Sequence, residues 1–312
     1  MTRAKRRSRR RARRRLQWLV GILTALACLG AAAFLLFNDA LPAADANRAG
    51  AAAAFGAVAA STDNSAWIED GVARILGDNT HGQRDTADWP QVIMVRLGDA
   101  HAVGLTADGD VVFAGSDEQG QCDLDAGGAR VVSIEAGPYA TYAVLADGTV
   151  RACGETVASP AELASEHGVV AVSAGAAHVA VLHADGTLKA YGENLFGECD
   201  TEGWTDIVMA DCGFGLTVAL DGCGRVFCAG DPSKLPRQEI TGARAVAAGT
   251  NNVYVIMEDG SVVTSGYNGG GQLDAALWKN VAAIAGGYMH VVGVDEDGGR
   301  LGLGSNASGQ LG

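Results

Sequence analysis

The feature that most constrains this chain is a pair of glycines six residues apart that recurs seven times. The first glycine of each pair is Gly71, Gly109, Gly148, Gly186, Gly224, Gly260 and Gly298, spaced by 38, 39, 38, 38, 36 and 38 residues. The second follows without exception, at Gly77, Gly115, Gly154, Gly192, Gly230, Gly266 and Gly304. Seven copies of one unit at a near-fixed period define a repeat architecture, because each unit buries its apolar face only by stacking on its neighbours.

Within each unit the apolar residues alternate, as they do along a strand with one face buried. Four residues before the first glycine stand Trp67, Leu105, Val144, Leu182, Leu220, Ile256 and Val294. Two further back, on the same face, are Val103, Tyr142, Ala180, Val218, Tyr254 and Val292. Six of the seven first glycines follow aspartate, and Asp-Gly between alternating apolar runs is a strong hairpin signal. A further apolar strand precedes each unit (VVSIEAG, VVAVSAG, DIVMADCG, ARAVAAG, NVAAIAGG), and a loop of the form G-x-N-x-x-G-Q follows it. Trp89, Trp204 and Trp278, each nine residues before a unit's opening glycine, read as packing residues repeated by the architecture. Three or four short antiparallel strands per unit, seven times over, predict an all-β, seven-bladed β-propeller across residues 55–312. The chain stops at Gly-Gln-Leu-Gly, where other units run on into the next apolar strand. The stretch Ala54–Ala60 is therefore expected to complete the last blade and close the ring.

The N-terminal fifth has a different character. Residues 1–15 carry ten basic side chains and no acid. Of the 23 Lys and Arg in the chain, 13 thus remain against all 36 acids, so the rest of the molecule sits near −23. A body of that charge is repelled by a phosphate backbone, which excludes nucleic acid as its partner. Residues 16–37, LQWLVGILTALACLGAAAFLLF, are 22 residues without a charge, long enough to cross the ~30 Å hydrocarbon core. Basic residues just ahead of such a run hold the N-terminus in the cytoplasm. The expected arrangement is a basic cytoplasmic tail (1–15), a transmembrane signal anchor (16–37), an Ala-rich linker (38–54) and a propeller outside the cell. Secretion after cleavage near Ala46, at the A-x-A-like Ala44-Asp45-Ala46, is the alternative.

The pattern A-G-x-x-H-x-x-x-L-x-x-D-G-x-x-x-x-x-G-x-N-x-x-G-Q-L resembles the repeat of the regulator of chromosome condensation family. The fourth and seventh units carry nearly all of it. The fourth supplies Gly175, His178, Asp185, Gly186, Gly192, Asn194 and Gly197. The seventh supplies Gly287, His290, Asp297, Gly298, Gly304, Asn306, Gly309 and Gln310. The resemblance covers about Phe55 to Gly312 and implies the propeller fold. The eukaryotic founder of the family is a nucleotide-exchange factor that binds chromatin, a role at odds with an acidic domain outside a membrane. The plan is closer to bacterial secreted members, one of which inhibits β-lactamase by docking a propeller face on it.

No catalytic cluster stands out. His101, His178 and His290 share one repeat position, filled elsewhere by Asp63, Ala140, Leu216 and Asn252, and lie in separate blades. They read as hydrogen-bonded structural residues rather than a metal site. The Asp-Gly carboxylates are explained by their turns. No P-loop, no G-x-S-x-G and no dinucleotide fingerprint occurs, so neither an enzyme nor a cofactor is expected. Six cysteines follow the apolar run, and Cys212 with Cys228 is the disulfide to expect if any forms.

Strand direction places the A-G-x-x turns and the G-x-N loops on one rim and the Asp-Gly turns on the other. The first rim carries the aromatic and apolar candidates Tyr139, Leu195, Phe196, Phe214, Tyr267, Tyr288 and Met289. Its polar candidates are Asp99, Asp117, Glu118, Glu155, Asn194, Asn251 and Asn268. Exposed aromatics ringed by polar groups suit a protein-binding hot spot. The expected function is non-catalytic recognition of another protein, with cell-wall glycan as the other candidate ligand. An exchange-factor-like regulator and a glycan-processing propeller are the alternatives.

Overall fold

The computed structural model describes residues 56–312. The predicted tail, transmembrane segment and linker all lie outside the described residues. No helix among the described residues is long and apolar enough to cross a membrane.

Seven separate three-stranded antiparallel sheets follow one another along the chain. The first blade comprises β1 (Val58–Ala60), β2 (Asn64–Glu69) and β3 (Val72–Gly77), and the second β4 (Val92–Leu97), β5 (His101–Thr106) and β6 (Val111–Gly115). The third has β7 (Val131–Ala136), β8 (Ala140–Leu145) and β9 (Val150–Gly154), and the fourth β10 (Val169–Ala174), β11 (His178–His183) and β12 (Leu188–Gly192). In the fifth are β13 (Ile207–Cys212), β14 (Leu216–Asp221) and β15 (Val226–Gly230). The last two blades are β16 (Ala243–Ala248), β17 (Asn252–Met257), β18 (Val262–Gly266) and β19 (Val281–Gly286), β20 (His290–Asp295), β21 (Arg300–Gly304). The first strand of every blade lines a central channel.

Middle strands are flanked by a strand on each edge and by a neighbouring blade on each face. Hence HAVGLT, ATYAVL and HVAVLH are buried at all six positions and read as apolar runs rather than alternations. The apolar side chains collect into seven clusters, and each draws on two successive blades. Between the third and fourth, for example, Tyr142, Val144 and Val150 meet Val169, Val172, Val179 and Val181. The hydrophobic free energy of this fold therefore resides between blades, so no blade is stable alone.

Ring closure differs from the sequence expectation. Val58–Ala60 does not join the last blade; it pairs with β2, Val58 opposite Trp67, as the inner strand of the first blade. A three-residue connection brings this segment back on its own neighbour, which a short local hairpin favours over a long-range pairing. Side chains close the ring instead: Val58 and Trp67 pack with Ala283 and Val292. The Trp67 indole N–H donates to the Gly293 carbonyl (3.4 Å), Arg300 lies 5.0 Å from the Trp67 ring, and Arg300 Nε donates to Glu69 (2.7 Å).

A register difference accompanies it. Asn64, not Asp63, occupies the histidine position of the first blade, since Asn64 pairs with Gly77 as His101 pairs with Gly115. The cause is the turn. Asp70 and Gly71 both have positive φ (52° and 81°), as a two-residue hairpin turn requires, whereas the second blade's loop is longer, with a Thr106–Gly109 turn and left-handed Gly109. Counting back from the turn glycine thus overshoots by one residue.

The connection from the third blade to the fourth replaces the usual loop with a short helix, α1 (Pro160–Ala164). Ser159 and Glu162 cap it reciprocally. It delivers Glu166, 4% exposed, onto the fourth blade, where its carboxylate accepts from His183 Nε2 (2.6 Å), Lys189 Nζ (2.9 Å) and the Tyr191 hydroxyl. Burial pushes this carboxyl up, but the three donors outweigh it and hold it at about 2. A depressed pKa contributes stability that is present above the unfolded value near 4.5 and lost as pH falls toward 2. Glu166→Ala is expected to cost about 3 kcal/mol at pH 7, because it strands the buried His183 donor and leaves the half-buried Tyr191 hydroxyl without its acceptor. Urea unfolding at pH 7 measures it; a cost below about 1 kcal/mol would mean that water replaces the carboxylate.

Candidate recognition rim

Register sets the geometry of the two rims. His178 pairs with Gly192, so the start of each middle strand and the end of each outer strand lie at the same end of the blade. The A-G-x-x turns and G-x-N loops therefore share one rim, with the A-G-x-x turns around the channel mouth. The Asp-Gly turns form the other rim, where Asp147, Asp185 and Asp259 accept from the backbone N–H and hydroxyl of Thr149, Thr187 and Ser261. These bonds, led by the hydroxyl in each case, lower the three carboxyls below the usual range.

The aromatic candidates stand out on the first rim. Tyr139, Phe196, Phe214, Tyr267 and Tyr288 are 43–54% exposed, and Leu195 is 78% exposed. They come from the third to the seventh blade and so form an arc rather than a full circle. Phe196 and Phe214 belong to one patch. Phe196 lies over Gly215, and the Lys234 ammonium sits 4.7 Å from the Phe214 ring centre and 6.0 Å from that of Phe196 while donating to the Phe214 carbonyl (2.6 Å). Lys234 stands where other blades bury Gln83, Gln121, Gln272 and Gln310, in the unit shortened to 36 residues. Met289 is half-buried.

Most of the polar candidates have internal partners. Asp117, Asn194 and Asn268 each accept, through a side-chain oxygen, the N–H of the residue five positions on: Cys122 (2.7 Å), Cys199 (2.8 Å) and Leu273 (2.8 Å). Asn79 and Asn306 repeat this staple with Arg84 and Leu311. The G-x-N asparagine is thus the clasp of its own loop. Asn251 is half-buried, and its carbonyl accepts from Tyr267 N. Glu118 is exposed. Asp99 lies at the channel mouth, accepts from the Thr62 hydroxyl (2.7 Å), and is raised by burial.

The channel encloses about 380 Å³ and holds polar groups that sequence reading missed. Arg96, Glu135, Ser173 and Asp211 occupy one inner-strand position in four successive blades; Ala247, Ala285 and Ala59 fill it in the other three. Arg96 donates to Glu135 (3.1 Å), and Ser173 donates to Asp211 (2.9 Å), which also accepts from Ala248 N (2.8 Å). Burial, opposed by Arg96, pushes Glu135 up to about 7, and burial likewise raises Asp211. These contacts tie the second blade to the third, the fourth to the fifth and the fifth to the sixth. A charged residue two before the glycine of an otherwise apolar strand was the available signal.

Each shared-position histidine reaches the next blade. His101 Nε2 meets Thr141 (3.0 Å), His178 meets Thr217 (2.8 Å) and His290 meets Ser65 (2.9 Å). The Thr217 hydroxyl donates to the Glu198 carbonyl (2.7 Å), so it accepts from His178 Nε2–H. No group of three His, Cys, Asp or Glu side chains among the described residues is placed to hold a metal ion.

The expected Cys212–Cys228 pairing is corrected: all six described cysteines are free. Cys212 lies on β13 and Cys228 on β15, with β14 between them. Two strand spacings of about 4.8 Å exceed the ~7 Å between Cα atoms that a disulfide spans.

Seven consecutive three-stranded sheets around a channel, with loops gathered on two rims, define a seven-bladed propeller. The profile of the regulator of chromosome condensation (RCC1) repeat matches residues 169–198, which include most of the fourth blade, and the other six units share its skeleton. The chain is a propeller built from repeats of the regulator of chromosome condensation type. Its fold is similar to that of Prp20p from Saccharomyces cerevisiae, at 14% identity over 86% of this chain and 85% of that one, with a TM-score of 0.63. It is also similar to two receptor-kinase ectodomains. The CR4 ectodomain of Physcomitrella patens matches at 16% identity over 80% of this chain and 73% of that one (TM-score 0.65). The CRINKLY ectodomain of ACR4 from Arabidopsis thaliana matches at 18% identity over 80% and 96% (TM-score 0.62). No curated protein sequence matches the chain.

Proposed function

We propose that this propeller is a non-catalytic protein-recognition module, held outside the cell by a transmembrane anchor at residues 16–37, that engages its partner through the rim of A-G-x-x turns and G-x-N loops. One observation carries the reading: six exposed apolar side chains, five of them aromatic, gather on that rim across five successive blades. Aromatic anchors of this kind dominate protein–protein binding energy. The uncharged 22-residue run behind ten basic residues supports the anchor and its orientation. Structures of similar fold are described as receptor-kinase ectodomains and, for Prp20p, by binding to Gsp1p and histones.

The test displays the full-length chain on its own cells and crosslinks it to neighbouring surface and secreted proteins, with and without Tyr139, Phe196, Phe214 and Tyr288 replaced by alanine. Loss of four exposed aromatics is expected to weaken the partner's binding by roughly 100-fold or more while leaving the melting temperature unchanged. Binding that survives replacement would move the site off this rim. Protease added to intact cells is expected to remove the propeller; protection of the whole chain would overturn the external placement.

A further inference from the structure

Although every described cysteine is free, two of them are positioned against each other across a blade boundary. Cys122 follows Gln121 in the loop that leaves the second blade, and Cys153 is on the outer strand of the third. The Cys153 thiol donates to the Gln121 carbonyl at 3.2 Å, the carbonyl of the peptide bond that leads into Cys122. In a trans peptide that oxygen lies about 2.8 Å from the following Cα, which puts the Cys153 sulfur within about 6 Å of Cys122 Cα. The two backbones also touch. A Cβ on Gly154, next to Cys153, would come 2.9 Å from Gln121 Cα. The Cys122 thiol is turned to the Ser116 carbonyl (3.4 Å), one staggered side-chain well away from other directions.

The repeat shows that these positions face each other by design of the ring. At the seam, the equivalents of Cys122 and Cys153 are Leu311 and Leu76, and both pack on the same cluster. In the fourth blade the equivalent of Cys122 is Cys199, but the fifth blade offers Ala229 opposite it. Cys223 belongs to the opposite rim, and Cys212 and Cys228 are separated by a strand.

We propose that Cys122 and Cys153 form a disulfide that clamps the second blade to the third when the propeller meets a disulfide oxidant. The reaction is exchange. The two thiols and one oxidant disulfide, such as glutathione disulfide or an exported thiol–disulfide oxidoreductase, yield the Cys122–Cys153 bond. The oxidant takes up the two protons and two electrons and leaves as two thiols. Burial, aided by the Asp117 carboxylate, pushes Cys122 up to about 12 and Cys153 to about 11. Thiolate is therefore scarce at neutral pH, and exchange is slow until a catalyst or a higher pH supplies it. The occurrence of the bond in the cell rests on the external placement proposed above; its formation in vitro does not.

The test incubates the purified full-length chain in an oxidising glutathione buffer at pH 8.5, blocks free thiols and maps peptides without reductant. A Cys122–Cys153 crosslinked peptide is expected, together with a melting temperature about 5 °C or more above that of the reduced chain. In Cys153→Ala, a change that the third blade should accept because Ala114 and Ala229 hold the same position, both the crosslink and the increment are expected to vanish. Recovery of both thiols as free after incubation would overturn the proposal, as would the same increment in Cys153→Ala. The same mapping on acid-quenched cells separates the two ideas. A pair that forms in buffer but is reduced in the cell leaves the pairing standing and counts against the external placement.

Discussion

Replacing Gly192 by alanine is expected to lower the melting temperature by about 10 °C. Gly192 ends the outer strand of the fourth blade opposite His178, with φ +112°. That angle lies in the region that side-chain-bearing residues avoid, and a Cβ there would come 2.5 Å from the Ala177 carbonyl oxygen and 2.8 Å from His178 Cα. Both obstacles are backbone, so relief requires the strand end and the A-G-x-x turn to part. Strain and displaced packing together amount to about 3–5 kcal/mol, and about 2–4 °C is lost per kcal/mol in a domain of this size. Gly168→Ala provides the comparison. Its φ is +67° and nothing lies within 4 Å, so only the left-handed penalty of about 1 kcal/mol applies. Differential scanning calorimetry of the two variants decides it: equal melting temperatures would show that the strand end yields freely.

The second large effect is loss of stability in mild acid. His101, His178 and His290 are fully buried, and their Nδ1 atoms have no partner. Burial lowers all three pKa values, to about 4 for His101 and His290. The unfolded chain protonates its histidines near 6.5, so between pH 6.5 and about 4 it binds protons that the folded state refuses. Their contribution is complete above pH 6.5 and lost as pH falls through this window, by about 2–3 kcal/mol for each of the two strongest. Glu135 works in the opposite direction, because a carboxyl raised to about 7 takes up its proton more readily when folded. Comparing variants isolates the histidines. Asparagine already serves at this position in Asn64 and Asn252, which donate to the backbone carbonyls of Leu76 and Asp78, and of Ser265 and Tyr267. Denaturant unfolding from pH 7.5 to 4.5 should therefore show a steep decline in the parent chain and a much shallower one in the His101→Asn/His178→Asn/His290→Asn variant. Parallel declines would place the acid sensitivity elsewhere.

Much of this architecture was legible before any coordinates. The Asp-Gly turn, the apolar strand before it and the glycine after it are set by hydrogen bonds and steric contacts among residues close in sequence, so the repeat itself announces short antiparallel strands, three or four to a unit, in seven blades. Membership of the two rims follows from strand direction alone, which is why Tyr139, Phe196, Phe214, Tyr267 and Tyr288 emerge on one face as expected. What lay between blades was not legible. A spacing count says that Asn194 opens a loop, but not that its side chain is spent on Cys199 N; it counts Asp63 where a shorter turn places Asn64. It set Cys212 and Cys228 on neighbouring strands, although β14 separates them, and gave no sign that Cys153 would meet Cys122. The sequence by itself determined the unit, its number and its turns, because those are decided over distances of a few residues. Only the tertiary structure decided how the ring closes, which carboxylates line the channel and which thiols face each other, because those contacts arise when rigid blades pack around a common axis, and no local period records them.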